Sequence, residues 1–148
     1  MNRPSIVAWA LTGIVLLVAV LLPAVTGGQV LASTAHPAVV KVAHVGKLGN
    51  ILVTSKGFAL YRWTKEKSGQ IKCTGACAKV WPPLLLRAGT SVPKRVSGVS
   101  GKFGLIVRPD KTHQLTYDGH ALYTFSSDTK PGEALCQGVE GWYVLPIH

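Results

Sequence analysis

The chain carries one short sequence twice, and this duplication limits the folds open to it more than any other feature. Segment 57–63 (GFALYRW) returns sixty-two positions later as segment 119–125 (GHALYTF). An acid stands five positions after the tyrosine of each copy, Glu66 in the first and Asp128 in the second. Such a repeat is typical of one supersecondary unit used twice, each copy being too small to bury its apolar face alone.

Weaker matches flank the duplicated segment. Upstream, residues 46–49 (GKLG) are similar to residues 101–104 (GKFG), and downstream Trp81 and Trp142 follow their copies at nearly equal distances. These matches predict a single β domain over residues 36–148, long enough to bury one modest core. Its parts are a first repeat, a connector and a second repeat, over residues 46–86, 87–100 and 101–148.

Each repeat contains short apolar stretches separated by turn residues, which predicts antiparallel strands. The Asp118-Gly119 pair between two such stretches is a strong hairpin signal, because both turn positions need positive φ. The expected strands are Asn50–Thr54 and Phe58–Trp63 in the first copy, Leu105–Val107, Gln114–Tyr117 and His120–Phe125 in the second, and edge strands near Val39–Val42 and Gly141–Leu145. The predicted fold class is therefore all-β, with two pseudo-repeats packed as one small domain.

A different pattern separates the strands of the first repeat from the connector. Thr74 can cap a short helical turn within residues 74–81, which Trp81 ends. Pro82-Pro83 then favours extended backbone, because proline fixes φ and lacks an N–H donor. One short helix is thus expected in an otherwise β domain.

Residues 6–25 form a nearly continuous apolar run without a charge, and Arg3 precedes it. This pattern predicts an N-terminal hydrophobic helix, either a signal peptide cleaved within residues 1–35 or an uncleaved membrane anchor. In both cases the rest of the chain is expected outside the cytoplasm, secreted or held at the outer face of the cytoplasmic membrane.

Sixteen basic and six acidic residues give a net charge of +10. Dispersed positive charge favours anionic partners such as cell-wall polymers or lipid headgroups, although it also serves plain solubility. Nucleic acid is not expected as a partner outside the cell. A protein complex of the envelope stays open as another partner.

Three cysteines in an exported chain leave one of them without an intramolecular partner. We expect a disulfide between Cys73 and Cys77, whose loop is small. Cys136 is then a buried small hydrophobe, a link to another chain, or the true mate of one of the other two. A switchable Cys73–Cys77 dithiol, or a soft-metal pair, is the redox alternative.

Several linked motifs resemble a family of bacterial secreted-repeat proteins of unknown function, often described as predicted lipoproteins. Residues 123–128 (YTFSSD) fit that family's Tyr-x-aromatic-x-x-Asp motif. Residues 73–77 (CTGAC) followed by 81–84 (WPPL) are similar to the segment between its repeats, and residues 138–144 (GVEGWYV) to its end. The resemblance implies secretion and tandem architecture but no agreed activity. Two departures are a missing lipid-attachment cysteine and Glu66 in place of Asp.

The repeat motif supplies the candidate site residues. The alternation of side chains puts Tyr61 and Trp63 on one face in the first copy, and Tyr123 and Phe125 on that face in the second. We expect these aromatics in the core, with a ligand-stacking surface as the alternative. Asp128 fits a turn, although Glu66 and Asp128 could also form an acid–base pair.

No histidine, cysteine or glycine spacing predicts a metal or cofactor site, so neither is expected. The function expected from these patterns is a non-catalytic cell-envelope β module that binds or braces an anionic component or a protein partner. The alternatives are a redox or metal-linked accessory using Cys73 and Cys77 and, less well supported, a hydrolase using Glu66 or Asp128.

Overall fold

The structure is a computed structural model that describes residues 39–148. The predicted N-terminal helix, and with it the choice between signal peptide and membrane anchor, lies outside these residues. Across residues 39–148, no helix has the length and apolar character of a membrane span.

Seven short strands and one short helix make up the described chain, which confirms the all-β prediction with its helical turn near residues 74–81. A 3-10 turn at Gly46–Leu48 joins the first two strands. The elements are β1 (Val40–His44), β2 (Asn50–Thr54), β3 (Tyr61–Trp63), α1 (Ala76–Val80), β4 (Phe103–Val107), β5 (His113–Tyr117), β6 (His120–Ala121) and β7 (Trp142–Val144).

Each repeat begins with an antiparallel hairpin. Strands β1 and β2 pair from Val40↔Thr54 to His44↔Asn50, and β4 and β5 pair from Phe103↔Tyr117 to Val107↔His113. The similar residues 46–49 and 101–104 therefore occupy different positions, because the former make the turn of the first hairpin whereas the latter run into the first strand of the second. The structural repeat is set by strand pairing, and the first copy starts at β1.

The turn after each hairpin differs between the copies. Asp118 and Gly119 have φ values of 49° and 79°, as the predicted two-residue hairpin turn requires. In the first copy, Thr54 donates its backbone N–H to Phe58 across a longer turn. The register thus differs by one residue, with Val53↔Ala59 in the first copy and Thr116↔Ala121 in the second.

The end of each repeat completes the sheet of the other repeat. We call residues 82–86 and 142–147 the closing segments. Strand β7 pairs with β3, and the N–H of Leu52 in β2 donates to Leu145 at 2.9 Å. Reciprocally, the N–H of Leu115 in β5 donates to Leu84 at 2.8 Å. The two repeats are therefore interwoven and do not stand side by side.

The repeats meet at their motif tyrosines. Tyr61 and Tyr123 exchange both backbone hydrogen bonds, at 2.9 Å and 3.0 Å, in an isolated antiparallel bridge. This pairing gives the duplicated segment an approximate two-fold relationship. As a result, each motif side chain lies against the opposite repeat.

The core has two layers. One contains the predicted aromatic face, including Tyr61 and Tyr123. The other contains Leu60 and Leu122, both fully buried, on the opposite face of the same segments. Tyr61 and Tyr123 of the predicted aromatic face are fully buried, whereas Trp63 and Phe125 are partly buried against them. The second face is buried as well, because the exchanged closing segments cover it.

Helix α1 starts without a side-chain cap, so the predicted role of Thr74 is wrong. Gly75 occupies the cap position with a φ of 55°, and no side chain caps it. Instead, the carbonyl of Thr74 accepts the N–H of Cys77 at 3.1 Å. Residues 87–100, the predicted connector, contain no helix or strand.

Candidate functional site at the junction of the repeats

Each motif tyrosine binds the motif acid of the other repeat. The Tyr61 hydroxyl donates to Asp128 Oδ2 at 2.7 Å. The Tyr123 hydroxyl donates to both carboxylate oxygens of Glu66, at 2.9 Å and 3.0 Å. All four side chains are buried. The two acids that the sequence singled out are therefore related by the repeat, and each is held by a tyrosine of the opposite copy.

The same carboxylates also hold the loops that follow them. Glu66 Oε1 accepts the backbone N–H groups of Lys72 and Cys73 at 2.6 Å and 2.8 Å. Asp128 Oδ1 accepts the N–H of Leu135 at 2.9 Å. Each acid thus fixes the backbone seven residues downstream and also a tyrosine. Glu66 uses most of its acceptor capacity in this way, and Asp128 about half.

The environment keeps both tyrosine hydroxyls protonated. Burial, followed by the hydrogen bond to Asp128, raises the pKa of Tyr61 well above its ordinary value. Burial, followed by the nearby Glu66 carboxylate, raises the pKa of Tyr123 in the same way. The hydroxyls are therefore suited to permanent hydrogen-bond donation and not to acting as phenolate nucleophiles.

Four aromatic rings form a column next to these pairs. Trp142 stacks on Trp63 at 5.2 Å and on Trp81 at 4.7 Å, with interplanar angles of 2° and 5°. Trp81 also stacks on Phe125 at 5.7 Å. The rings of the column come alternately from the first and the second repeat, and each of the two inner rings is stacked between two others. A ligand could stack only on the end rings, Trp63 and Phe125. At the Trp63 end, the Lys65 ammonium lies 5.5 Å from the ring centre.

The structure contains the Cys73–Cys77 disulfide, with the two Cα atoms 5.1 Å apart. Cys73 is fully buried. Of the described cysteines, Cys136 alone is free, and it is also buried. Its sulfur accepts the indole N–H of Trp81 at 3.2 Å, and burial raises the pKa of its thiol. Cys136 therefore occupies the core position of a small hydrophobe.

Sequence reasoning missed a buried polar pair, Arg108 and Gln114. The Arg108 guanidinium donates to the Gln114 carboxamide and, at 2.8 Å, to the carbonyl of Cys73. The amide nitrogen of Gln114 in turn donates to the carbonyl of Leu122 at 2.7 Å. Nothing in the sequence predicted this, because an arginine in a hairpin turn is ordinarily solvated.

The remaining acids are mostly engaged by backbone groups of turns. Asp110 accepts from Thr112, and these hydrogen bonds lower its pKa. Asp118 accepts the N–H of Lys102 at 2.8 Å. Glu133 accepts the backbone N–H groups of Lys130 and Thr129, and these hydrogen bonds lower its pKa. These acids therefore serve turns and loops of the surface.

Burial makes the surface more basic than the composition indicates. Of the six acids, Glu66 and Asp128 are withdrawn from solvent, whereas Arg108 is the one buried cation among residues 39–148. In this part of the chain, no three histidine, cysteine or acidic side chains lie together in a way that could hold a metal ion.

A family model described as a secreted repeat of unknown function matches the chain twice, over residues 42–85 and 104–145. Each matched stretch begins within the first strand of a hairpin and ends in a closing segment, so it coincides with one structural repeat. No curated protein matches the chain, and no solved structure matches it.

Proposed function

The chain belongs to the Lipoprotein_15 family, a secreted repeat of unknown function, and we propose that it is a non-catalytic module that binds an anionic component of the cell envelope. Secretion places the domain outside the cytoplasm, where such components are available. We further propose that residues 1–35 either are removed or hold the domain at the outer face of the membrane.

The observation that carries this proposal is the charge of the surface. Two of the six acids are buried, while nearly all basic side chains of residues 39–148 stay in contact with solvent. A surface with this imbalance attracts polyanions over distances of about a Debye length, roughly 10 Å at 0.1 M salt.

The geometry of the motif supports a non-catalytic role. Glu66 and Asp128 are held by the tyrosines and by backbone N–H groups. A general acid or base must reach a substrate proton, and these carboxylates already serve protein donors. We propose that the Tyr-x-aromatic-x-x-acid motif locks the two repeats together, and that this is why the sequence contains it twice.

The alternative of a redox accessory has weaker support. Cys73 is fully buried, and its backbone N–H is bound by Glu66. Redox-active disulfides are ordinarily accessible to a partner thiol. Treatment with a mild reductant tests this alternative, since a cycling disulfide would open in the native protein and a structural one would not.

The test of the proposed function is sedimentation of the purified protein with isolated cell envelopes as salt rises from about 0.05 M to about 0.5 M. We expect bound protein to be released as salt increases. Changing Lys47, Lys67, Lys79 and Lys94 to Gln should weaken retention, whereas the matched change of the same residues to Arg should not. If neither salt nor the changes to Gln reduce the fraction of protein that sediments with the envelopes, the proposal is contradicted.

A further inference from the structure

An open cavity of about 550 Å³ lies where the two repeats meet. We call it the first groove. Phe58 from the first-repeat turn, Leu85 from the first closing segment and Phe125 from the second repeat contribute apolar walls, and Lys56 and Arg87 lie at its lining. Leu85 is 41% exposed.

The fold contains a second, repeat-related groove that differs in size and chemistry. Its volume is about 310 Å³. Here His120 takes the place of Phe58, Pro146 that of Leu85, and Arg62 that of Thr124. The turn and register differ by one residue between the copies, and Arg87 and Thr90 of the connector line only the first groove, so backbone and side chains both contribute to the difference. The first groove is therefore the larger of the two related sites.

The exposed charged side chains at the first groove are both positive. Lys56 and Arg87 are both exposed. Asp128 also lines the groove, but it is buried and binds the Tyr61 hydroxyl and the N–H of Leu135. The groove thus offers apolar walls and two free cations, whereas in the second groove Arg62 is accompanied by Asp118.

We propose that the first groove binds the acyl chain of an anionic lipid, with its headgroup at Lys56 and Arg87. This inference rests on the proposed function and names the chemical class of the anionic component. The volume falls within the range of about 300–1,000 Å³ typical of small-molecule sites. A purely polyanionic polymer would use the cations but not the apolar walls, whereas an anionic amphiphile uses both.

The experiment titrates the full chain with 11-(dansylamino)undecanoate, followed by dansyl fluorescence, below the concentration at which the probe forms micelles. Dodecanoate and dodecyltrimethylammonium then compete for the site. We expect saturable one-to-one binding, with dodecanoate displacing the probe at about tenfold lower concentration than the cation does. Equal displacement by the two competitors, or no saturable binding, would overturn the inference.

Charge variants test the headgroup site. The double change Lys56→Glu and Arg87→Glu should weaken probe binding by about tenfold, because each attraction becomes a repulsion. The control, Arg62→Glu with Lys102→Glu, makes the same change in net charge away from the first groove and should leave binding within about twofold. If the two pairs weaken binding equally, the probe is attracted by net charge and the assigned site is wrong.

An apolar-wall variant tests the acyl-chain site. Leu85→Glu should abolish saturable binding, because it places a carboxylate in the groove. Leu105→Glu is the matched control, since Leu105 is 44% exposed on β4 and does not line the groove. Both variants should keep the native thermal unfolding transition. Unchanged binding in Leu85→Glu would refute the first groove as the acyl-chain site. If the protein shows salt-dependent envelope retention but no probe binding, the lipid inference fails and the proposed function stands.

Discussion

The hydroxyl of Tyr61 lies 2.7 Å from Asp128 Oδ2 in the opposite repeat, sixty-seven positions further along the chain. Tyr123 and Glu66 form the reciprocal pair. Because a bridge between the two tyrosine backbones fixes both pairs, the side-chain bonds connect the repeats and not the parts of one repeat. They are therefore expected to contribute to the stability of the whole domain.

Removal of one hydroxyl tests this expectation. Tyr61→Phe should lower the free energy of unfolding by about 1–3 kcal/mol, because a buried carboxylate oxygen loses its donor. The control is Tyr143→Phe, whose ring is 39% exposed and whose loss of a hydroxyl should cost under about 0.5 kcal/mol. Urea unfolding followed by tryptophan fluorescence measures both.

The coupling within the pair is measured by adding Asp128→Asn to Tyr61→Phe. Since both changes remove the same hydrogen bond, their effects should be less than additive by about 1 kcal/mol or more. Combining Asp128→Asn with Tyr123→Phe should come closer to additivity. Strict additivity in the first combination would show that the bond contributes no stability.

The raised pKa values of Tyr61 and Tyr123 predict loss of stability at alkaline pH. In the unfolded chain tyrosine ionises near pH 10, whereas both buried hydroxyls keep their protons. The contribution of these hydroxyls to the free energy of unfolding is therefore fully present below about pH 10. It falls as pH rises above that value, by up to about 1.4 kcal/mol per pH unit for each tyrosine. Urea unfolding between pH 9 and pH 11 should show the fall steepening toward this slope, and Tyr61→Phe should reduce it.

The cysteines predict a fixed pattern of thiol reactivity. The native protein should react slowly with a thiol reagent, because Cys136 is buried and its pKa is raised. Unfolding without reductant should expose one thiol, and unfolding with reductant three. Replacing Cys73 and Cys77 together by Ser should lower stability by only about 2 kcal/mol, since the closed loop is short. A second thiol in the unfolded, unreduced protein would contradict the bridge.

The exchanged closing segments predict that neither repeat folds alone. Fragments 36–100 and 101–148 should each lack a cooperative unfolding transition, because β3 and β5 lose the strands that pair with them. Mixed in equal amounts, the fragments should recover the transition and the near-ultraviolet circular dichroism of the stacked tryptophans. Cooperative unfolding of a single fragment would contradict the interwoven architecture.

Local signals in the sequence were enough for most of the elements. Strand β2 has the predicted bounds, and the Asp118-Gly119 turn has the predicted backbone. Such features depend on a few neighbouring residues, whose alternation and turn chemistry are readable directly. The aromatic face was predicted for the same reason.

Other features depended on contacts between distant residues. The pairing of Tyr61 with Asp128, and of Arg108 with Gln114, follows from the exchange of closing segments, which no local pattern encodes. The similarity between residues 46–49 and 101–104 was misleading, because glycine and lysine recur in turns and strand ends alike. The grooves likewise exist only after the repeats have interlocked.

The crossing of the closing segments also bears on how many units a viable relative should contain. In a chain with an odd number of repeats, one hairpin would lack a closing segment from another repeat, and one closing segment would have no hairpin to pair with. We therefore expect homologues to carry these units in even numbers. A homologue with a single repeat should form a symmetric homodimer, in which the closing segment of each chain pairs with the hairpin of the other.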